Sequence, residues 1–272
     1  MAPNACNSSH RRTEARFIGM KPIARNHQKR RFAASAATDP NAPTWLWGQH
    51  AVEAAVANER REVLQRVATE NAARRVGLSG FEILEPKALD KLLPPGAVHQ
   101  GLAIRVKPLE PLSLDDLLSR EKPPARVCVL DQISDPHNLG AIFRSAAAFG
   151  IGALVLQTRH TPPITGVAAK SAAGAVERVD EVRVVNIARA LDQLGDAGYH
   201  TVGLAGEGTE SVANAVRGAG NLAFVMGAEG SGLRPAVAKA CATLARIRMQ
   251  PGMESLNVSN AAAIAFYEAM RE

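Results

Sequence analysis

Short apolar runs alternate with helical stretches along the chain from Arg126 onward. Four runs have the length of buried strands, and a fifth, TLARIRM, shows the pattern less clearly. The four runs are RVCVLDQ, GALVLQT, HTVGLAG and NLAFVMGAE. Between them lie stretches with helical spacing, including NLGAIFRSAAAFG, NIARALDQLGDAG and RPAVAKACAT. Strands that alternate with helices predict an α/β fold with a parallel sheet covered on both faces, and ligands bind such sheets at the carboxyl ends of the strands.

A smaller α/β unit is predicted over residues 44–107. Helical patterns in WGQHAVEAAVANER and KALDKLLPPG accompany strand-like patterns in FEILEP and HQGLAIRVKP. Residues 108–125 carry prolines and charges around one short helical pattern, which is typical of a linker. We therefore expect a small domain over 44–107, a linker over 108–125 and a larger domain over 126–272.

Residues 1–43 form a basic tail, which we expect to be disordered. Its first 40 residues contain eight basic and two acidic side chains. The resulting net charge of +6 equals that of the whole chain, so residues 41–272 are neutral overall. Three interpretations of the tail stay open: a phosphate-binding segment, a passive extension, or a transit peptide over residues 1–37 that directs the protein to an organelle.

Neither a membrane span nor a metal site is expected. The longest stretch without a charged residue, from Ser145 to Thr158, is shorter than the roughly 18 residues that a span requires. The three cysteines lie far apart without metal-ligand spacing, and two of them have apolar neighbours. This pattern fits a reducing compartment, so we expect a cytoplasmic protein unless the tail is a transit peptide. The cysteines are Cys6, Cys128 and Cys241.

The segment DQISDPHNLGAIFRSAAAFG follows the first strand of the larger domain. Asn138 stands at the expected start of its helix, and Gly140 would let another backbone approach closely. An apolar stripe at helical spacing leaves Arg144 roughly 150° away, so this side chain points away from the core. Asn138 is therefore either an N-cap or a site residue, and Arg144 is either a solvated charge or a side chain in a cleft.

Two further polar loops follow later strands. In FVMGAEGSGL, turn glycines alone would explain the segment, but Glu229 in so crowded a turn needs a partner. The spacing fits neither a phosphate loop nor the dinucleotide fingerprint. In ARIRMQPGMESLNVSNAAAIAFYEAM, Ser255 or Asn257 would cap a buried helix. Three such loops at the ends of neighbouring strands together predict a shared site.

Three motifs, NLGAIFR, MGAEGSG and SLNVS in this order, resemble those of the SpoU (TrmH-type) RNA 2′-O-ribose methyltransferases of the SPOUT class. The resemblance covers residues 126–271. It extends less specifically over 44–107, where GQHAVEAAV and HQGLAI are similar to the small RNA-binding domain of the ribosomal RNA subgroup. It implies an α/β domain whose last segment forms a trefoil knot, S-adenosylmethionine bound in that knot, and a homodimer packed through the final helix.

The resemblance also implies the site residues. The backbone contacts to the methyl donor would come from Gly227, Ile247 and Leu256. The polar catalytic set would be Asn138, Arg144, Glu229, Ser255 and Asn257. The family commonly has Ile-Pro-Met where this chain has Ile-Arg-Met, with Arg248 in the middle. This change frees a backbone torsion and adds a charge near the cofactor loop.

Methyl transfer to a ribose hydroxyl is an in-line displacement, so the protein must align three reacting atoms and deal with the hydroxyl proton. The family view makes Arg144 the activating group. A guanidinium stays protonated in proteins, so we expect Arg144 to stabilise the developing alkoxide while Asn138 and Glu229 fix its orientation. His137, the histidine nearest the motifs, is interpreted as a loop residue.

The implied substrate is structured RNA, in which the reacting 2′-hydroxyl itself distinguishes RNA from DNA. Only 4% of residues are aromatic, which favours recognition through phosphates and shape over extensive base stacking. Trp45 and Trp47 open the small domain and are expected to pack against a helix. The nearest subgroup methylates a guanosine ribose in 23S ribosomal RNA. The alternatives are a transfer RNA methyltransferase and a catalytically silent RNA-binding or ribosome-assembly protein.

Overall fold

The computed structural model describes residues 42–77, 79–159, 161, 163–253 and 255–271. The predicted basic tail lies almost wholly outside the described residues, as does Cys6. All of the described residues belong to one compact unit, which contains a four-stranded sheet and a seven-stranded sheet.

The four-stranded sheet is formed by the first part of this unit. Its strands are β1 (Thr44–Trp47), β2 (Val63–Ala68), β3 (Glu82–Ile83) and β4 (Leu102–Val106). The intervening helices are α1 (Gln49–Ala57), α2 (Glu70–Val76) and α3 (Pro86–Asp90). The strand order is β1-β4-β2-β3, and β4 runs antiparallel to both of its neighbours. The sequence patterns indicated α1, α3, β3 and β4 but not β1, β2 or α2.

The seven-stranded sheet follows and is parallel throughout. Its strands are β5 (Arg126–Leu130), β6 (Ala153–Gln157), β7 (Asp180–Val184), β8 (Tyr199–Leu204), β9 (Glu210–Ser211), β10 (Asn221–Met226) and β11 (Thr243–Arg246). The helices are α4 (Leu114–Leu118), α5 (Pro136–Ala148), α6 (Gly166–Ala172), α7 (Ile187–Asp196), α8 (Val212–Ala215), α9 (Pro235–Ala240) and α10 (Val258–Met270). The strand order is β7-β6-β5-β10-β8-β11-β9, which confirms the predicted parallel α/β sheet.

Both faces of this sheet are covered. Within β5, Cys128 and Leu130 point into the layer that holds α5, α6 and α10, while Val127 and Val129 point into the layer of α4, α7 and α9. Each large apolar side chain buried in this way contributes about 1.5–3 kcal/mol to folding. The described part of the chain contains no helix long and apolar enough to cross a membrane.

Two glycines let α6 pack closely on both of its sides. A Cβ atom at Gly140 of α5 would overlap the carbonyl oxygen of Ala168 in α6. A Cβ atom at Gly166 would overlap the indole ring of Trp47. The close backbone approach predicted at Gly140 is therefore confirmed, and Trp47 packs against a helix as expected. As a result, α6 is held between α5 and the four-stranded sheet.

A buried ion pair also joins the two sheets. The guanidinium of Arg61 donates to both carboxylate oxygens of Glu177, at 2.6 Å from Nη2 and 3.2 Å from Nε. Both side chains are only 4% exposed. Asn58 donates a further hydrogen bond to Glu177, and Arg61 donates another to the carbonyl of Lys107. Burying two charges is costly, and the bidentate geometry together with these additional bonds offsets that cost.

Candidate active site

Three side chains from separate loops form a hydrogen-bonded network at the carboxyl edge of the large sheet. The Oε1 atom of Glu229 accepts from the Nδ2 atoms of Asn138 and Asn257, each at 2.8 Å. The Nδ2 atom of Asn257 also lies 3.0 Å from Oδ1 of Asn138, to which it donates. The partner that the crowded turn required for Glu229 is thus supplied by two amides. These three residues, Asn138, Glu229 and Asn257, are called the amide–carboxylate network below.

The local helix starts determine which atoms are free for this network. Asp135 caps α5, because its side chain accepts from the backbone N–H of His137 at 3.0 Å. The N-cap interpretation of Asn138 is therefore wrong: this residue lies in the first turn, 8% exposed, with its amide turned to Glu229. Asn257 does cap α10 through its Oδ1 atom, which leaves its Nδ2 atom for the network. The alternative prediction, that Ser255 caps this helix, is wrong.

A cavity of about 520 Å³ opens beside the network. It lies at the carboxyl ends of β8, β10 and β11, where a parallel sheet binds ligands. Three residues predicted to contact a cofactor line it, and so do two members of the predicted polar set. These five residues are Gly227, Ile247, Leu256, Glu229 and Ser255. The structure thus brings together seven of the eight predicted site residues, either in the cavity or in the network.

Arg144 is the exception. It lies on α5 six residues after Asn138, which corresponds to about 9 Å along the helix axis. Its side chain is exposed, as the apolar stripe predicts, and it does not line the cavity. Within the described ranges no hydrogen bond or ion pair holds its guanidinium. Its predicted role in the reaction stays a prediction.

Residues that the sequence analysis did not single out also shape the cavity. Leu204, Gly206 and Glu207 form the wall that follows β8, and Met226 and Met249 contribute apolar side chains. The signal was present in the run HTVGLAG, because it ends in a turn at the same edge of the sheet. The lining combines apolar side chains with exposed backbone and two carboxylates, which suits a ligand that has both apolar and polar groups.

An ion pair that the sequence patterns did not predict holds the turn between Gly227 and Gly232 in place. Asp131, fully buried at the end of β5, pairs with the Nη2 atom of Arg234 at 2.6 Å. Its Oδ2 atom also accepts from the backbone N–H of Arg234 at 3.2 Å. Arg234 follows the turn directly and precedes α9. The pair therefore fixes the turn that carries Glu229.

Arg248, which departs from the motif of the family that the sequence resembles, is exposed. Together with Arg246 and Glu268 it lines a second cavity of about 350 Å³. Ile247 lies between the two arginines and lines both cavities. The charge of Arg248 therefore faces away from the main cavity, on the opposite side of Ile247.

The cysteines are poorly suited to nucleophilic catalysis. Burial raises the pKa of the Cys128 thiol well above its ordinary value. Burial, aided by the negative charge of Asp131, raises the pKa of Cys241 to about 11. Both thiols therefore stay protonated at neutral pH. In the described part of the chain, no three His, Cys, Asp or Glu side chains cluster in a way that could hold a metal ion, and a metal-free reaction stays a prediction.

Solved structures share this architecture. A structure described as an RNA 2′-O ribose methyltransferase superposes with a TM-score of 0.71 at 26% identity, over 85% of this chain and 89% of the other. The SpoU methyltransferase AviRb of Streptomyces viridochromogenes, solved with its cofactor AdoMet, has the same fold, with a TM-score of 0.70 at 23% identity over 84% and 89% of the two chains. The fold and its site define an RNA methyltransferase of the SPOUT class.

The family follows from the sequence match. The model of the SpoU rRNA methylase family matches residues 125–267, and the chain belongs to this family. Among curated relatives, the 23S rRNA (guanosine-2′-O-)-methyltransferase RlmB of Vibrio vulnificus is 37% identical over 242 residues, covering 84% of this chain and 96% of the relative. SpoU methyltransferases use S-adenosylmethionine as the methyl donor.

Gly227 offers a test of the cavity. A Cβ atom at this position would overlap the backbone of Gly232 and Leu233, so Gly227→Ala must displace the turn. Overpacking of this kind costs about 1–3 kcal/mol, and where the donor binds only the undisplaced turn this cost appears as roughly 5- to 150-fold weaker binding of S-adenosylmethionine. Isothermal titration calorimetry measures the change. Gly195→Ala, in α7, is the matched control, because a Cβ atom there meets nothing within 4 Å and Gly195 does not line the cavity. Equal affinities for the two variants would contradict the assignment of this cavity to the methyl donor.

Proposed function

We propose that this protein transfers a methyl group from S-adenosylmethionine to the 2′-hydroxyl of a guanosine in 23S ribosomal RNA. The observation that carries the proposal is the amide–carboxylate network beside a cavity at the carboxyl edge of the sheet. The activity in the name of the Vibrio vulnificus relative, which this chain matches over most of its length, supports the choice of substrate. Such an activity places the protein in the cytoplasm, or in an organelle if residues 1–37 act as a transit peptide.

The residues around the cavity fit the methyl donor. The turn closes tightly at Gly227, where the backbone of Gly232 and Leu233 leaves no space for a side chain, and apolar side chains such as Ile247 and Leu256 cover the cavity walls. We assign to Gly227, Ile247 and Leu256 the backbone contacts that orient the donor. When bound, the donor supplies a methyl group already activated by a sulfonium. The task left to the protein is alignment, which can supply up to roughly 7–11 kcal/mol of a reaction barrier.

The polar residues act on the ribose. Glu229 offers about four lone-pair sites as a carboxylate, and the two amides use two of them. The remaining acceptor positions suit a ribose hydroxyl or a guanidinium. We assign to Asn138, Asn257 and Ser255 the positioning of the sugar, and to Arg144 the stabilisation of the alkoxide that develops on its 2′-oxygen.

Arg144 lies outside its own chain's cavity, so we place it in the active site of a second copy. α10 packs against α5, the helix that carries Arg144, and the rings of Tyr267 and Phe149 meet at 5.9 Å. Three apolar side chains of α10 are left exposed, namely Ile264 (38%), Tyr267 (46%) and Met270 (47%). An apolar helix face of this kind is typical of a subunit interface. A homodimer built on α5 and α10 would bring Arg144 to the partner's site.

The chain path supports a trefoil knot as part of the proposal. β11 is inserted between β8 and β9, although β10 lies between β9 and β11 in the sequence. The segment that follows, with Ser255 and Leu256, lines the same cavity as the turn after β10. In the proposed function, threading of this segment forms the donor site, while residues 44–107 act as an RNA-binding domain joined by residues 108–125.

Methyl transfer to defined RNAs tests the function. Purified protein, labelled S-adenosylmethionine and unmodified transcripts of 23S ribosomal RNA and transfer RNA are combined, and the 2′-O-methylated nucleotides are mapped. We expect one guanosine of the 23S transcript to be labelled and Glu229→Ala to lose the label. If only the transfer RNA transcript is labelled, the substrate is transfer RNA and not 23S ribosomal RNA. Tight RNA binding without any transfer would favour a silent RNA-binding protein.

A further inference from the structure

The turn His99–Gln100–Gly101 belongs to the HQGLAI motif, yet it lies away from the cavity and the network. Gln100 in this turn has a φ angle of 55°, in the left-handed backbone region that residues other than glycine rarely adopt. The turn is held in place, since the imidazole Nδ1 of His99 accepts from the N–H of Gly101 at 3.0 Å and its Nε2 lies 3.0 Å from Asp90. A strained residue fixed so firmly is typical of a functional position.

Gln100 gathers two cations from different parts of the molecule. Its Oε1 atom accepts from Nζ of Lys170 at 2.7 Å and from the backbone N–H of Gln49 at 3.1 Å. Its carbonyl oxygen accepts from Nη2 of Arg75 at 3.0 Å. Arg75 lies in the last turn of α2, beside the small sheet, whereas Lys170 belongs to α6, which packs between α5 and the small sheet. The cations therefore meet on one residue at the boundary between the two sheets.

Neither cation is neutralised. Among the residues that the structure describes, no carboxylate forms an ion pair with Lys170 or Arg75. Two acids belong to the same set of hydrogen bonds, and each has another partner: Glu53 accepts from the side-chain amide of Gln49 at 2.9 Å, and Asp90 lies 3.0 Å from His99. Burial lowers the pKa of Lys170, so its charge carries a desolvation cost that an anion would relieve. An ammonium group has three donors, and Gln100 uses only one of those of Lys170.

The position of Lys170 connects this cluster to the active site. The next residue, Ser171, lies with its hydroxyl 3.3 Å from Nδ1 of His137, which directly precedes Asn138 of the network. The close packing of α6 on α5 at Gly140 fixes this distance. The contact between α6 and α5 thus connects the helix that carries Lys170 to the helix that carries Asn138 of the network.

On the basis of the proposed RNA substrate, we propose that Arg75, Gln100 and Lys170 form a seat for the phosphate backbone of the RNA, which holds the strand between the small sheet and the reacting ribose. Arg75 and Lys170 bind the phosphate oxygens. Gln100 is a positioning residue that keeps the two cations together and unpaired until RNA arrives. Contacts of this kind set the register of the RNA without reading its bases.

Salt dependence of RNA binding tests this seat. The affinity for the unmodified 23S transcript is measured across salt concentrations for the full-length protein and for Lys170→Gln. Each phosphate contact contributes about 0.7–0.9 to the slope of log affinity against log salt, so the variant should lose that amount, and Arg75→Gln/Lys170→Gln about twice as much. Lys122→Gln removes the same charge from an exposed lysine in residues 108–125 and should leave the slope unchanged. An unchanged slope in Lys170→Gln would overturn the seat.

Chemical footprinting of the unaltered protein provides a second, independent measurement. Acetylation of lysines should modify Lys170 in the free protein and be suppressed there by RNA, while Lys122 reacts equally in both states. Equal reaction of Lys170 with and without RNA would overturn the seat, even if the variants fail to fold. Methyl transfer by the wild-type protein is scored separately. If the wild-type protein methylates 23S RNA but Lys170→Gln has an unchanged salt slope of RNA binding, the proposed function holds and the phosphate seat does not.

Discussion

Replacing Arg144 by alanine is expected to lower kcat for methyl transfer by about 10²- to 10³-fold, the effect of removing one group that stabilises charge in a transition state. This corresponds to about 2.7–4 kcal/mol. Binding of S-adenosylmethionine should not change, because the proposed role of Arg144 is at the ribose oxygen, whereas the donor contacts are assigned to Gly227, Ile247 and Leu256. Arg144→Lys keeps the charge but loses the planar fork, so a large loss is expected there as well. Near-normal turnover of Arg144→Lys would reject the role of the fork.

Mixed dimers distinguish action within a chain from action across the interface. Arg144→Ala and Glu229→Ala are co-expressed with different affinity tags, and the doubly tagged dimer is purified. If Arg144 serves the partner's site, one of the two sites contains both intact residues, and the mixed dimer should have about half of wild-type activity. If Arg144 serves its own chain, each site carries one defect and the mixed dimer stays inactive. The second result would contradict the arrangement proposed for the homodimer.

Arg61→Met is expected to destabilise the protein by about 3–5 kcal/mol, because it leaves Glu177 as an unpaired buried charge. For a domain of this size, each kcal/mol corresponds to about 2–4 °C, so Tm should fall by about 6–20 °C. Thermal unfolding followed by circular dichroism measures the change. Arg61→Met/Glu177→Leu removes both charges and should recover part of the loss.

The neighbouring residue provides the matched control. Arg60 also pairs with an acid, Asp180, at 3.4 Å, but its side chain is 60% exposed. Exposed pairs contribute about 0–1 kcal/mol, and Asp180 keeps a second partner in Arg120 at 2.6 Å. Arg60→Met should therefore lower Tm by no more than about 4 °C. If the two methionine variants melt at the same temperature, the buried pair does not hold the sheets together.

The sequence predicted the large sheet well because its central strands are continuous apolar runs. β7 was missed because it contains DEVRV, in which only Val182 is fully buried, so its pattern looks polar. The short strand β9 has only two residues and gives no periodic signal. In the small sheet, β2 was missed for a similar reason, since Gln65 and Arg66 interrupt its apolar residues.

The candidate site was predicted in its composition but not in its connections. Motif order was enough to name Asn138, Glu229 and Asn257, and the glycine turn indicated that Glu229 needed a partner. Asn138 can turn its amide to Glu229 because Asp135, and not Asn138, caps α5. The sequence pattern did not predict this cap. The pairs Arg61–Glu177 and Asp131–Arg234 join residues more than a hundred positions apart, and local patterns carry no information about such contacts.

The insertion of β11 between β8 and β9 has a consequence for biosynthesis. β9 hydrogen-bonds within the sheet only to β11, among the strands described, so it has no partner until the ribosome has made residues 243–246. The small sheet, in contrast, closes with β4 and can form while the rest is still being translated. Asn257 and Leu256 emerge later still, so under the proposed site assignment a nascent chain cannot methylate RNA until residues 256–257 have been made. An mRNA cleaved before the codons for α10 would yield no partially active enzyme.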